Sequence, residues 1–203
     1  IPTRERPNPE KCFRASASDF KKIPGSPIAY WVSERVRQIF KESLSLSPVC
    51  KPTQGLATGD NERFVRIWHE VCLNNIGFSF PNREQAERSR LKWFPYNKGG
   101  DFRRWYGNQE FLVNWENDGF KIKHFSNEFG RIRSRPQNLG TYFKESISWS
   151  KISSGFPAFR YFPTGFIYDV AGTSIFCDDT SLAKRILGVT NSPVTKKFLE
   201  ILS

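Results

Sequence analysis

Cations and large aromatic side chains alternate from Lys92 to Asn108, around flexible glycines at positions 99 and 100. The segment reads Lys-Trp-Phe-Pro-Tyr-Asn-Lys-Gly-Gly and then Asp-Phe-Arg-Arg-Trp-Tyr-Gly-Asn. It has no continuous apolar face, so it suits a polyanion with flat bases better than a protein core. Of the net charge of +11, +7 falls within residues 83–160, where 15 Lys and Arg meet 8 Asp and Glu. This excess of positive charge predicts a surface that binds nucleic acid, and the alternative is a surface that is only solvated.

Cations that can contact phosphates are numerous here. They are Lys98, Arg103, Arg104, Arg131, Arg133, Arg135, Lys144, Lys151 and Arg160. An arginine that reaches a major groove can also bind O6 and N7 of a guanine together. The run Arg131-Ile-Arg-Ser-Arg135 lies in a turn-rich stretch and is the predicted insertion loop, unless it is only a solvated loop.

The turn Thr58-Gly59-Asp60-Asn61 precedes a predicted helix that begins at Glu62. An Asp or Asn at this position is expected to cap the helix. Thr58, Gly59 and Asn61 can also hold a phosphate at the helix N-terminus, because the first backbone N–H groups of a helix lack partners. Both roles can coexist.

Aromatic and amide side chains in the same region allow two interpretations. Trp105 and Tyr106 can stack on bases, although packing within a sheet is the usual role of such residues. Asn97, Asn108 and Gln109 can read adenine edges, or they can be exposed turn amides.

Catalytic and metal-binding patterns are missing from the sequence. There is no Gly-x-Gly, no Pro-Pro pair, no phosphate loop, no nucleophile elbow and no paired-histidine zinc motif. Carboxylates stand singly among cations, so no general acid/base pair can be assigned. The cysteines are widely spaced, which favours reduced packing thiols over a zinc site. We therefore expect neither catalysis nor a metal in these residues.

The bulk properties predict one domain, or one domain with an appendage, in a soluble cytoplasmic protein. No apolar run is long enough to span a membrane, and no signal peptide opens the chain. Methionine is absent, even at position 1, which predicts a segment of a longer polypeptide.

The N-terminal half is predicted to carry two helices after a proline-rich, irregular lead-in over residues 1–27. Ser33 can cap the first helix. The second has Phe64, Ile67, Trp68 and Val71 at helical spacing.

The remainder is predicted to be strand-rich. Phe111 to Trp115 and Phe120 to His124 flank Asp118-Gly119, a strong hairpin signal. Further strands are predicted over 147–152, 158–162 and 166–170. Two helices end the chain, one over 181–187 closed by Gly188 and one opening at Pro193. The expected fold class is α+β, with one twisted, mainly antiparallel sheet and flanking helices.

Longer motifs carry a family resemblance. They are Ile23-Pro-Gly-Ser-Pro-Ile-Ala-Tyr-Trp31, Gly55-Leu-Ala-Thr-Gly-Asp-Asn61 with Trp68, the Lys92–Gly100 run, Asn114-Trp-Glu-Asn-Asp-Gly119, Phe143-Lys-Glu-Ser-Ile-Ser-Trp-Ser150, and Tyr168-Asp-Val-Ala-Gly172 through Phe176. From about residue 20 onward the chain resembles the PglX adenine-specific DNA methyltransferases of bacterial BREX phage-defence systems. More distantly, it is similar to the target-recognition half of type I specificity subunits and of fused restriction-modification enzymes.

The resemblance implies a DNA target-recognition domain over residues 51–180. Residues 1–50 would be a connector and helix leading in from a separate methyltransferase domain, and residues 181–203 the start of a helical spacer. S-adenosylmethionine would be the cofactor of the parent protein and not of this part. Double-stranded DNA is the implied partner, and other defence proteins or acidic DNA mimics are compatible partners.

Two functions of other classes stay open at this point. One is a single-stranded nucleic-acid-binding module that stacks bases on Trp93, Trp105 and Tyr106. The other is a protein-interaction module whose basic face docks an acidic partner.

Overall fold

The computed structural model describes residues 16–152, 155–177 and 179–202. The chain separates into a larger unit from Leu46 to Ser192 and a smaller one that combines residues up to Ser45 with Pro193 onward. Most of the predicted irregular lead-in, and Cys12 with it, lies outside the described residues.

The described residues form seven α-helices and eight β-strands. The helices are α1 (Ala17–Phe20), α2 (Glu34–Glu42), α3 (Asn61–Phe64), α4 (Arg83–Arg88), α5 (Glu116–Lys123), α6 (Thr180–Thr190) and α7 (Pro193–Leu202). The strands are β1 (Lys51–Thr53), β2 (Val65–Ile67), β3 (Trp93–Asn97), β4 (Phe111–Asn114), β5 (Ser146–Ser150), β6 (Arg160–Phe162), β7 (Ile167–Tyr168) and β8 (Gly172–Phe176). The predicted α+β class is confirmed.

In the smaller unit, α2 and α7 begin where the sequence predicts. The Ser33 hydroxyl accepts the Val36 N–H at 3.4 Å, and α7 starts at Pro193. A small apolar core forms from Ile23, Ala29 and Val32, with Val36, Phe40 and Ile201 packed against it.

The strands of the larger unit form two four-stranded sheets, where the sequence suggests one. The first has the order β1-β8-β5-β6 and is antiparallel throughout, and the second has the order β2-β4-β3-β7 with a parallel β3–β7 pair. Consecutive strands β7 and β8 belong to different sheets because the chain turns between them. The Asp169 carboxylate accepts the Ala171 N–H at 2.8 Å, and the Asp169 carbonyl accepts the Gly172 N–H at 3.2 Å.

Strand β3 corrects the interpretation of the Lys92–Gly100 segment as a binding surface. Phe94, Tyr96 and Asn97 have no exposed surface, and β3 lies between β4 and β7. Pro95 is tolerated because it stands opposite Leu112 at a position that makes no bond to β4. This half of the segment therefore forms the centre of a sheet.

The second predicted helix is also wrong beyond its first turn. Asp60 caps α3 by accepting the Arg63 N–H at 3.0 Å, which confirms the predicted cap. The helix ends at Phe64, and the next residues form β2, with Val65 opposite Val113. Pairing with β4 thus overrides the helical spacing of the apolar residues.

The predicted hairpin at Asp118-Gly119 does not form. Asn117, Asp118 and Gly119 all have positive φ angles, 50°, 52° and 73°, but the following residues are helical. A Cβ on Gly119 would lie 2.5 Å from the Trp115 ring, so only glycine fits there. Left-handed backbone at these three residues turns the chain into α5, so the predicted strand from Phe120 to His124 does not form.

At the C-terminal end of the larger unit, the structure differs from the prediction at Gly188. Helix α6 runs through Gly188 to Thr190, so Gly188 does not end it. The Asp179 carboxylate caps this helix by accepting the N–H groups of Ser181 and Leu182.

Asp118 connects α4 and α5, and we expect its removal to destabilise the larger unit. Its carboxylate binds Arg83, with Nε at 2.8 Å, as well as Lys123 and the Trp115 indole N–H at 3.2 Å. Loss of these partners in Asp118→Ala should lower the free energy of unfolding by about 2 kcal/mol. Urea denaturation would measure this loss.

The stabilisation that Asp118 provides should depend on pH in a defined direction. Burial alone would raise the pKa of Asp118, but the hydrogen bonds from Arg83 and Lys123 outweigh burial and lower it below 3.8. The stabilisation is therefore present above about pH 4 and is lost as the pH falls further.

Glu116→Ala, which removes an exposed ion pair with Lys121, is the control and should change stability by at most about 0.5 kcal/mol. Equal effects of the two variants would contradict the role of Asp118.

Candidate nucleic-acid interface

Residues Phe125 to Arg135 form a mostly exposed loop that we call the arginine hairpin. Ser126 pairs with Ile132 in an antiparallel bridge, and Gly130 takes a left-handed conformation at φ +74° in the turn. Side chains alternate along such a segment. Ser134 is buried and its hydroxyl donates to the Ile122 carbonyl at 2.5 Å, whereas the predicted contacts of the hairpin are exposed: Arg131, Arg133 and Arg135.

The arginine hairpin packs against the Thr58–Asn61 turn. Ala57 and Arg135 exchange two backbone hydrogen bonds, at 3.1 and 2.8 Å. A Cβ at Gly59 would lie 2.9 Å from the Arg133 carbonyl, so glycine permits this close approach. Two segments that sequence analysis selected separately therefore form one surface.

Arg63 also belongs to this surface, although no pattern in the sequence indicated a role for this residue. Its guanidinium lies over the rings of Phe64 and Phe125, at 5.4 and 5.2 Å from their centroids. Arg133 lies over the same Phe125 ring at 5.3 Å. The aromatic ring thus orients two arginines by cation–π contacts. In the sequence, the only indication of a role for Phe125 is that it stands six residues before Arg131.

The turn itself is poorly suited to the phosphate that the sequence allows. Thr58 is buried, and its hydroxyl donates to the Asn61 side chain at 2.8 Å. Helix α3 is a single turn, and the Asp60 carboxylate already occupies its N-terminus. Gly59 and Asn61 instead shape the surface against which the arginine hairpin lies.

Lys98 lies near the buried Asp169, and its ammonium group is 5.5 Å from the centroid of the Phe111 ring. A groove of about 240 Å³ is lined by residues 57–61 and by Asp169. Burial raises the pKa of Asp169, although a 2.6 Å hydrogen bond from the Tyr96 hydroxyl and the nearby Lys98 charge oppose the rise. The groove lining therefore includes one buried carboxyl group, with Lys98 nearby.

Arg160 departs from its predicted role as a phosphate contact. It is fully buried, and its guanidinium donates to the carbonyls of Asp101 and Arg103 at 3.2 and 3.4 Å and to the Ser150 hydroxyl at 3.0 Å. Burial lowers its pKa. Arg160 therefore anchors the segment Asp101–Asn108, which we call the aromatic loop.

The aromatic loop exposes the other cations and rings of the opening motif. Arg103 and Arg104 are exposed, and Arg104 lies over the Phe102 ring at 5.4 Å. Trp105 and Tyr106 are 51% and 65% exposed, so the expectation that they pack the sheet is wrong. Trp105 has a φ of +71°, which a bulky residue rarely adopts. Two backbone bonds, to Phe159 and Tyr161, hold it there.

Lys144 and Lys151 are exposed but lie apart from the arginine hairpin. Lys144 lines a groove of about 260 Å³ with Glu145 and Cys177. The Lys151 backbone N–H donates to the Ala171 carbonyl at 2.8 Å. Of the predicted amides, Asn97 and Asn108 are buried and bind Ser148 and the Asp101 carbonyl, so neither can read a base.

Gln109 belongs to a separate site, which we call the aromatic groove. Its volume is about 390 Å³, and its lining includes Trp68, Phe78, Tyr106, Gln109, Pro163 and Phe166. No local pattern in the sequence indicates this groove, because its lining residues come from five separate segments.

A metal-binding cluster and a membrane-spanning helix are both absent from the described part of the chain. There, no group of three or more His, Cys, Asp or Glu side chains is placed to hold a metal ion. No helix in the described part of the chain is long and apolar enough to cross a membrane.

Comparison with known proteins gives two close relatives. The chain is 42% identical over 201 residues to the adenine-specific methyltransferase PglX of Lacticaseibacillus casei (strain Zhang), and 34% identical over 189 residues to the adenine-specific methyltransferase BrxX of Escherichia coli O9:H4 (strain HS). These matches cover 98% and 91% of the chain, but only 17% and 14% of the relatives. No family model matches the sequence. Over nearly its whole length, the chain is homologous to one segment of the PglX and BrxX adenine-specific methyltransferases.

Proposed function

We propose that this chain recognises duplex DNA in a sequence-specific manner for a BREX-type adenine methyltransferase, which marks self DNA in phage defence. The observation that carries the proposal is the arginine hairpin, on which Arg131, Arg133 and Arg135 project from one side. Among the described residues, none of these three side chains forms an ion pair. Planar guanidinium groups of this kind suit both phosphates and guanine edges.

The proposed interface consists of the arginine hairpin, the adjoining turn and Lys98. Arg63 and Arg133 share the Phe125 ring, so their orientation is restricted before DNA binds. Restricting these side chains in advance reduces the entropy lost on binding. Arg103, Arg104 and Lys151 provide further phosphate contacts.

Residues 51–180 would form the recognition domain, residues 1–50 the connector and residues 181–203 the start of the spacer. The homology to PglX and BrxX supports placing these residues within such a methyltransferase. The parent protein would act in the cytoplasm and use S-adenosylmethionine to methylate adenine in double-stranded DNA.

S-adenosylmethionine does not fit the residues described. The sequence has no Gly-x-Gly turn, and the Asp169 carboxylate beside the 57–61 turn is buried and held by Tyr96 and Ala171. We therefore assign the cofactor to another part of the parent protein.

The alternatives differ in what they require of the surface. A stacking module for single strands requires open rings. Trp105 and Tyr106 meet this requirement, but Trp93 is only partly exposed, with Arg66 and Lys92 at 5.7 and 5.4 Å from its centroid. A module for an acidic protein would use the same arginines as duplex DNA does. Competition between duplex DNA, single-stranded DNA and an acidic protein distinguishes the three.

We expect the isolated chain to bind duplex DNA with a steep salt dependence. Each neutralised phosphate contributes about −0.9 to the log–log slope of affinity against salt. Fluorescence anisotropy with a labelled duplex, from low to moderate salt, would measure the slope. An affinity that does not change with salt would contradict the proposal.

Replacing an arginine and replacing a lysine should affect DNA binding in different ways. Arg133→Ala or Arg135→Ala should relax the choice of base at one position, at a cost of about 1–3 kcal/mol for a bidentate contact. Lys98→Ala should weaken all sequences about equally and lower the salt slope by about one, since lysine is a mobile point charge. Selection from a randomised duplex pool would measure both effects.

The control is the fold of each variant, checked by circular dichroism. If the folded arginine variants kept both their affinity and their site preference, the arginine hairpin would be only a solvated surface. Base readout would then have to be sought at Arg103, Arg104 and Lys151.

A further inference from the structure

Two cysteines face each other across the first sheet, although they are far apart in the sequence. Strands β1 and β8 pair in antiparallel register, and Lys51 stands opposite Phe176 at the end of the pair. The same register, continued by one position, places Cys50 opposite Cys177. Both residues are thiols in this structure. The fold therefore brings together a pair of cysteines that no local spacing in the sequence indicates.

The spacing of the two strands suits a disulfide bond. Residues directly opposite each other in an antiparallel pair have Cα atoms about 4.5–5.5 Å apart, and disulfide-bonded cysteines have Cα atoms about 4.4–6.8 Å apart. The two side chains also lie on the same face of the sheet, as opposite residues do. Burial raises the pKa of Cys50, and a hydrogen bond with the Cys177 thiol opposes that rise. The two sulfur atoms are therefore neighbours in the reduced chain.

The two thiols differ in their exposure. Cys50 is only 5% exposed, and its Sγ donates to the Leu46 carbonyl at 3.5 Å. Cys177 is half-buried and lines the groove of about 260 Å³ that also includes Lys144. A small oxidant can reach Cys177 through this groove, whereas Cys50 is shielded. One accessible cysteine with a second cysteine beside it is the arrangement of redox-sensitive pairs.

Strand β1 is the element on which a cross-link would act. It has three residues and lies at the edge of the first sheet, next to β8. Lys51 and Pro52 are exposed, and proline has no N–H to give to the pairing. Segments with few buried contacts and exposed backbone bonds open more readily than the rest of a fold. A covalent bond between Cys50 and Cys177 would fix this strand to β8.

We propose that Cys50 and Cys177 form a reversible disulfide when the protein meets a peroxide. The Cys177 thiolate would attack one oxygen of hydrogen peroxide, which gives a sulfenic acid and hydroxide, and the hydroxide takes up the proton that the thiol released. The Cys50 thiol would then attack the sulfenic sulfur, forming the S–S bond and releasing water. Two thiols and one peroxide thus give one disulfide and two waters, and two electrons pass from sulfur to oxygen. A dithiol such as dithiothreitol would reverse the change.

Oxidation of the 203-residue chain by hydrogen peroxide tests the proposal. The starting protein is the Cys12→Ser, Cys72→Ser double variant, which keeps the proposed pair as its two cysteines. We expect its mass to fall by two hydrogen atoms, and non-reducing digestion should yield two peptides joined through Cys50 and Cys177. The melting temperature should rise by about 5 °C or more, because a disulfide that closes a long loop restricts the unfolded chain. Dithiothreitol should reverse both changes.

Single variants of the pair are the controls. In the same background, Cys177→Ser and, separately, Cys50→Ala should show neither the cross-link nor the rise in melting temperature. Circular dichroism of the reduced proteins would check their folding, and Cys177→Ser, at the half-buried position, keeps the test decisive if the buried Cys50→Ala variant does not fold.

Three results would overturn the proposal. The first is recovery of Cys50 as an alkylated thiol after peroxide treatment, whether Cys177 is then a thiol or a sulfinic acid. The second is a disulfide that joins two chains instead of closing within one. The third is a cross-link between Cys50 and Cys177 that does not raise the melting temperature, since such a bond would not fit the folded chain.

Discussion

Simultaneous replacement of Arg131, Arg133 and Arg135 by alanine is expected to weaken duplex DNA binding by at least about 100-fold. Each arginine contact is worth about 1 kcal/mol or more, and a loss of 1.4 kcal/mol corresponds to a factor of ten. If each side chain neutralises one phosphate, the salt slope should also fall by about 2 to 3. Anisotropy titrations over a range of salt concentrations would measure both quantities.

A charge-matched variant provides the control for this prediction. Lys51, Lys184 and Arg185 are exposed cations of the larger unit that do not belong to the proposed interface, and their triple replacement changes the net charge by the same amount. We expect this control to bind with a loss of less than about fivefold, because distant charges are screened beyond about 10 Å at 0.1 M salt. Similar losses in the two triple variants would indicate general attraction and contradict a specific role for the arginine hairpin.

Arg160→Ala is expected to lower the free energy of unfolding by about 3 kcal/mol or more. The variant leaves a cavity in a fully buried site and removes hydrogen bonds to Asp101, Arg103 and Ser150. The aromatic loop should lose its anchor, and Trp105 should leave its left-handed conformation. Urea denaturation and the fluorescence of the native state would report these two changes.

Two further variants separate the causes of this loss. Arg160→Met keeps most of the volume but none of the hydrogen bonds, so its stability should lie between the alanine variant and the natural protein. Arg104→Ala, in an exposed part of the same loop, should change stability by no more than about 0.5 kcal/mol. If Arg160→Ala were as mild as Arg104→Ala, Arg160 would not anchor the loop.

Local signals in the sequence determined several features correctly. Ser33 and Asp60 cap helices, and Pro193 opens α7. These features depend on hydrogen bonds and steric limits within a few residues, which a sequence displays directly. The α+β class and the homology to adenine-specific methyltransferases were likewise accessible from the sequence.

Features that depend on distant partners were not accessible in this way. The pattern from Phe64 to Val71 has helical spacing, yet β4 recruits Val65 to Ile67 into a sheet. In the sequence, a cationic or aromatic residue that is exposed cannot be distinguished from one that is buried. Arg103 and Arg160 were therefore both predicted to contact phosphates, but only Arg103 reaches the surface.

The tertiary structure alone decided which candidates share a surface. It joins the Thr58–Asn61 turn to the arginine hairpin through backbone bonds between Ala57 and Arg135. It also gathers the lining of the aromatic groove from five separate segments of the chain. The physical reason is that contact between segments far apart in the chain depends on strand register and on the alternation of side chains between faces, and neither can be read from local spacing.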